Sequence, residues 1–150
     1  MMPSPNRVSR WSISLMVIVC FSLCSCFGGG PKPVKLHRAS GVLTVNGTPA
    51  PNIIIHFVPS PGRPSIAVTN AQGQFDMLYQ TDRAGVLPGE HKVWVEYKPS
   101  SPTEEMKIRA GESPLSTELQ EALTKYGTLE KTPYRVTVDE DEKNLAIKLD

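Results

Sequence analysis

From Gly41 onward the chain is a series of short apolar runs divided by turn residues, and that pattern fits strands far better than helices. Gly41 to Val45 is β-rich and meets Asn46-Gly47, a strong hairpin signal. Ile53 to Val58 reads as a buried strand. Pro59-Ser60-Pro61-Gly62-Arg63-Pro64 reads as an irregular loop. Ser65 to Thr69 alternates, Asn70 to Gly73 turns, and Gln74 to Tyr79 reads as the next strand. After a turn at Leu87-Pro88-Gly89, His91 to Tyr97 places Val93, Val95 and Tyr97 on one face. Tyr134 to Val138 and Leu145 to Leu149 read as a closing hairpin. The expectation is an all-β fold, a seven-stranded antiparallel sandwich of two packed sheets.

One segment departs from this period. Leu119, Ala122, Leu123 and Tyr126 fall at helical spacing within Ser116 to Tyr126. Thr117 with Gln120 forms a capping box, and Gly127 stands at the stop position. This predicts one short helix in a long crossover. Pro99 to Pro114, which carries Glu104, Glu105 and Arg109, reads as a long adaptable loop.

The N-terminus has a different composition. Arg7 and Arg10 precede an apolar run from Trp11 to Leu23, about the length of an export-signal core. A membrane-spanning helix needs roughly 20 apolar residues, more than this core supplies. Leu23-Cys24-Ser25-Cys26 resembles the lipobox of bacterial lipoproteins. The resemblance implies cleavage before Cys26 and a diacylglyceryl thioether on its sulfur, with Cys24 as a rival position. Two or three acyl chains hold firmly, since each buried CH₂ contributes about 0.8 kcal/mol.

The domain reading is a signal over residues 1–25, a lipidated Cys and tether over 26–38, and a sandwich over 39–150. Gly28-Gly29-Gly30 followed by Pro31-Lys32-Pro33 is a short flexible tether with a stiffer end. Cys20, Cys24 and Cys26 are the only cysteines, so the sandwich has no thiol for a disulfide or a Cys-ligated metal. Loss of Arg7 and Arg10 takes the formal charge from +1 to −1, which gives no electrostatic reason to expect nucleic acid as a partner.

The order of motifs resembles carboxypeptidase regulatory-like domains. Gly41 to Pro49 is similar to their opening strand and hairpin, and Asn52 to Pro59 to their second strand. Thr69-Asn70-Ala71-Gln72-Gly73-Gln74-Phe75 is similar to their Thr-Asp-x-x-Gly-x-aromatic turn. Leu87-Pro88-Gly89-Glu90-His91-Lys92-Val93 is similar to the strand entry that follows it. The resemblance covers residues 39–98 and implies an immunoglobulin- or transthyretin-like sandwich with an accessory role. Asn70 and Gln72 replace residues that are commonly acidic, and His91 replaces a common Tyr. The first departure weakens cation binding at that turn.

No catalytic set is visible, and the reading is non-enzymatic, with no cofactor and no metal. Tyr134-Arg135 runs on into Val136-Thr137, unlike the Tyr-Arg-Gly-Ser of transthyretin-related hydrolases. His37, His56 and His91 form no His-x-His pair of the kind that intradiol dioxygenases use for iron. An enzyme would need a pocket assembled from distant residues such as His56, His91 and Arg63. The blander readings are a hydrogen-bonded strand histidine at His56, a packing residue at His91 and a solvated His37. Asp139-Glu140-Asp141-Glu142 reads as a solvated turn that discourages edge pairing.

Trp94, Tyr97 and Arg109 are the candidate binding surface. Trp94 alternates with Lys92 and Glu96, so it stands either as an exposed platform or under the crossover helix, covered by Leu119 and Leu123. The expected protein is anchored in the cell envelope by lipid, on the extracytoplasmic side. It presents a sandwich for envelope structure or for binding a protein or glycan, with a carbohydrate- or solute-binding module as a further alternative.

Overall fold

The computed structural model describes residues 34–112 and 115–150. Its strands are β1 (Ala39–Val45), β2 (Thr48–Pro49), β3 (Ile53–Pro59), β4 (Ser65–Val68), β5 (Gln74–Asp76), β6 (Leu78–Gln80), β7 (Arg83–Ala84), β8 (Gly89–Tyr97), β9 (Arg135–Val138) and β10 (Glu142–Leu149). Two helices, α1 (Pro102–Arg109) and α2 (Thr117–Tyr126), lie between β8 and β9. One sheet joins β10, β1 and β2 in that order, with β5 also on β1. The other runs β7-β6-β4-β3-β8-β9. The chain is therefore a mostly β structure of two sheets around one core.

Alternation builds that core. Ile53, Ile55 and Phe57 of β3 and Val93 and Val95 of β8 point inward and are buried. They meet Leu43 of β1 and Ile147 and Leu149 of β10 from the opposite sheet. Helix α2 adds Ala122 and Tyr126 to this core, with Leu119 and Leu123 packed against it. Tyr126 also meets the ring of Tyr134 edge-on, with centroids 6.2 Å apart.

Several strand ends follow directly from residue chemistry. Asn46 and Gly47 have φ of 46° and 80°, the pair of positive values that a tight two-residue hairpin turn requires. Thr69 Oγ1 donates to the Ala50 carbonyl at 2.7 Å and accepts the Ile53 N–H at 2.9 Å. That one hydroxyl holds the entry to β3 against the end of β4. Thr132 acts similarly, donating to the Val93 carbonyl at 2.6 Å.

The structure differs from the sequence reading at five places, each with a physical reason. First, Gln74 to Tyr79 is two strands: β5 pairs with β1, then the chain changes sheets at Met77 and β6 pairs with β4. This break, with the two-residue β2 and β7, accounts for the strand segments beyond seven. Second, β9 and β10 form no hairpin, because β9 pairs with β8 while β10 runs parallel to β1. Asp141 accepts the Arg38 N–H at 2.9 Å and the Glu142 N–H donates to the Arg38 carbonyl at 2.7 Å. These bonds tie the acidic turn to the lead-in of β1, which carries β10 to the other sheet. The Tyr134 hydroxyl covers part of the β10 edge, at 3.4 Å from both the Ala146 carbonyl and the Lys148 N–H.

Third, the expected loop at Pro99 to Pro114 contains α1. Ser101 caps it by accepting the Glu104 N–H at 3.2 Å, with a proline in the first turn. The helix buries no residue, so it left no apolar period to read. Fourth, Ser116, not Thr117, caps α2, accepting the Leu119 N–H at 3.3 Å. Gly127 has φ −79°, and its role is close approach: a Cβ there would collide with the Leu123 carbonyl oxygen. Fifth, His37 is buried, exchanges backbone hydrogen bonds with Val86 and lies 3.5 Å from Asp141.

His91 is fully buried on the inner face of β8. Its Nε2 donates to the Leu87 carbonyl at 2.7 Å, while Nδ1 has no partner. Burial lowers its pKa, partly opposed by the bond to Leu87. A second proton would sit on a buried nitrogen with no acceptor, so the neutral ring is the stable form.

Two predictions follow from this packing. A group whose folded pKa lies below its unfolded value of about 6.5 favours the unfolded chain as pH falls through that range. Melting temperature is expected to fall from pH 7.5 to 5, and His91→Gln, which keeps a donor for Leu87, is expected to flatten that fall. Parallel slopes for the two proteins would show that His91 does not set it. At Gly41, where the β1–β10 register shifts, a Cβ would strike the Leu145 carbonyl oxygen. Gly41→Ala is expected to lower stability in urea unfolding by about 1–3 kcal/mol.

Candidate binding face

Outward-facing positions on a solvated antiparallel sheet are ordinarily polar. In the six-stranded sheet many are not. Ile54 and Val58 of β3, Ile66 and Val68 of β4 and Leu78 of β6 all point away from the core. Ile66, Val68 and Leu78 are 42%, 43% and 42% exposed, three of the five exposed large apolar side chains among the described residues.

Register aligns these residues across the sheet. Leu78 pairs with Ile66, Ile66 with His56 and His56 with Trp94. The four side chains form one row across β6, β4, β3 and β8, with about 4.8 Å between neighbouring strands. Val68, Ile54 and Glu96 make the adjacent row. The face grades from aliphatic over β4 and β6 to charged over β8 and β9, where Lys92 pairs with Arg135.

Trp94 and His56 are stacked, with ring centroids 3.9 Å apart and planes 6° from parallel. His56 Nε2 lies 2.9 Å from Glu96 Oε1, which fixes the imidazole on the indole. Trp94 is thus half-buried beneath a histidine. The crossover helix does not cover it through Leu119 and Leu123, which pack against the core instead.

The structure does not bring the three sequence-predicted surface residues together. Trp94 is on the outer face, while Tyr97 is half-buried and packs against the core. The Tyr97 hydroxyl donates to Glu104 Oε1 at 2.7 Å, and Ser100 gives Glu104 its N–H and its hydroxyl at 2.6 and 2.5 Å. Burial, then the Glu104 carboxylate, pushes Tyr97 up to about 12, and the Ser100 and Tyr97 bonds lower Glu104. This cluster fastens α1 to the end of β8. Arg109 stands exposed on α1, paired with Glu105 at 2.6 Å. Leu23, Cys24, Ser25 and Cys26 lie outside the described residues.

Beside the exposed aliphatic residues lies a groove of about 1090 Å³. Ile66, Val68 and Leu78 line it, with Tyr79 and Gln80 of β6 and Arg63 of the preceding loop. Arg83 sits 5.7 Å from the centroid of the Tyr79 ring and donates to the Val34 carbonyl at 3.1 Å. Arg83 thereby links Tyr79, a residue of the groove wall, to Val34. Apolar periodicity marked β4 and β6 but not the groove, because the groove arises from the change of sheet at Met77.

The residues proposed for a dispersed enzyme site are also apart. His56 is on the outer face of the sheet and His91 on the inner face, so they do not share a pocket. No group of three His, Cys, Asp or Glu among the described residues is placed to hold a metal ion. No helix among them is long and apolar enough to cross a membrane. No family model, no curated protein and no solved structure matches this chain.

Proposed function

We propose that this chain is a bacterial envelope lipoprotein, anchored through Cys26, whose sandwich is a non-catalytic binding module. Its fold is of the carboxypeptidase regulatory-like kind, close to transthyretin. The anchor reading is carried by Leu23-Cys24-Ser25-Cys26 after a basic and apolar start, with the Gly-rich tether behind it. The observation that supports binding is the outer face of the six-stranded sheet. Ile66, Val68 and Leu78 are exposed beside a groove, in line with the His56–Trp94 stack. A solvated face gains nothing from three exposed aliphatic side chains, whereas a ligand-covered one does.

Two variants test the two halves of this reading. Cys26→Ser is expected to lose acyl labelling and to leave the membrane fraction, while Cys24→Ser keeps both. Labelling retained in Cys26→Ser moves the lipid to another residue or removes the anchor. For the sandwich, Ile66→Asp is expected to reduce retention of the full chain by immobilised envelope extract at least tenfold, and Arg109→Ala to leave it unchanged. Equal retention of wild type and Ile66→Asp would exclude this face.

A further inference from the structure

We infer that the aliphatic end of the six-stranded sheet docks on the phospholipid bilayer that holds the Cys26 anchor. This rests on the reading of the chain as a lipoprotein with a binding face, and it names the partner of that face. The first ground is where the exposed apolar side chains gather. The described residues expose five large ones: Val34, Ile66, Val68, Leu78 and Met106. Met106 stands on α1, which is fastened to the end of β8. Ile66, Val68 and Leu78 share the outer face of β4 and β6. Val34 is held at the same end of the sheet. His37 exchanges backbone hydrogen bonds with Val86, and Arg83 donates to the Val34 carbonyl at 3.1 Å, so residues 34–37 run beside residues 83–86. In the order β7-β6-β4-β3-β8-β9, the chain thus enters at the β7 end. Leu78 pairs with Ala84 of β7 and Ile66 pairs with Leu78, so at about 4.8 Å per strand they lie one and two strands in from that end.

The second ground is the length of chain before Val34. Cys26 and Val34 are eight residues apart, and an extended chain spans at most about 3.6 Å per residue. With the lipid on Cys26, Val34 stays within about 29 Å of the acyl attachment. A domain of about 100 residues has a radius of gyration of about 13 Å and is about 34 Å across. The tether is shorter than the domain is wide, so the β7 end is the one kept next to the lipid. Such a tether holds the face at high local concentration over the bilayer, and a patch too small to bind membranes from solution then suffices. The flanking side chains suit that depth. Tyr79 follows Leu78, with the Arg83 guanidinium 5.7 Å from its ring centroid. Tyr and Arg both place an apolar body in the interface and a polar tip at the headgroups.

The contact is apolar rather than electrostatic. At this end Lys35, Arg63 and Arg83 are nearly balanced by Asp76 and Asp82. The opposite end of the sheet is charged, where Lys92 pairs with Arg135 across β8 and β9 and Arg135 meets Glu90 at 3.2 Å. Carrying those groups into lipid has no compensation, whereas Ile66, Val68 and Leu78 lose exposed apolar surface by entering it. A second copy of the chain or a soluble partner meets this face only by diffusion, while the bilayer is within the tether's reach at all times.

The test places one fluorophore at either end of the sheet. The processed chain has no thiol besides Cys26, so Leu78→Cys and Met106→Cys each carry a single nitrobenzoxadiazole label. The lipidated chain is reconstituted in phosphatidylcholine vesicles with and without lipid bearing a shallow doxyl quencher. The label at position 78 is expected to be quenched several-fold more than the label at position 106, in low and high salt alike. Ile66→Asp in the Leu78→Cys protein should remove that difference, and Val68→Gln should reduce it, with thermal melts confirming that both fold. Equal quenching at the two positions, or none at either, overturns the docking, while flotation of the chain with the vesicles leaves the anchor reading standing. Quenching at position 78 confined to phosphatidylglycerol vesicles in low salt overturns the apolar contact. Loss of envelope-extract retention by Ile66→Asp without lipid quenching at position 78 gives the face an occupant other than lipid, and overturns the docking too. A chain that takes no acyl label has no tether, and the docking then fails together with the anchor.

Discussion

The change of sheet at Met77 is the constraint on which the rest of the arrangement depends. Met77 is fully buried, its N–H donates to the Ala39 carbonyl and its own carbonyl accepts the Gly85 N–H. One residue thus ties β1 of one sheet to the β6–β7 hairpin of the other. Closing the sandwich at this edge has a local consequence for β4. On either side of Met77, Asp76 pairs with Ser40 of β1 and Leu78 with Ile66 of β4, and both Asp76 and Leu78 line the groove. The same event that encloses the core opens the groove outside it.

The six-stranded sheet is apolar on both faces over part of its width. Ile53, Ile55 and Phe57 fill the core, while Ile54, Val58, Ile66, Val68 and Leu78 turn outward. Near-continuous apolar strands are the mark of a sheet covered on both sides. The cover on the inner side is β1 and β10 with α2. On the outer side, Trp94 is partly covered by His56, and the aliphatic end stays exposed beside the groove.

Much of this fold was legible in the sequence, because strands and tight turns write themselves locally. Asn46-Gly47 required positive φ and has it, and the alternation of His91 to Tyr97 assigned the inner and outer faces of β8. What escaped was non-local or carried no period. The parallel return of β10 depends on Asp141 binding the backbone of Arg38, far away in the chain. Helix α1 has no apolar face, and only Ser101-Pro102-Thr103-Glu104, a capping box with proline inside it, marked its start. Of the candidate surface residues, alternation already separated Trp94 from Tyr97. The groove had no local signal, since residues of β4, β5 and β6 line it together and no single run of sequence marks it.

Residue-resolved amide hydrogen exchange of the full chain in detergent tests the central feature directly. The Met77 amide, buried and bonded to the Ala39 carbonyl, is predicted to exchange as slowly as the amides of the central strand β3. Exchange of Met77 as fast as that of the turn at Thr81-Asp82 would mean that no bond joins the two sheets at this edge, and would contradict the account.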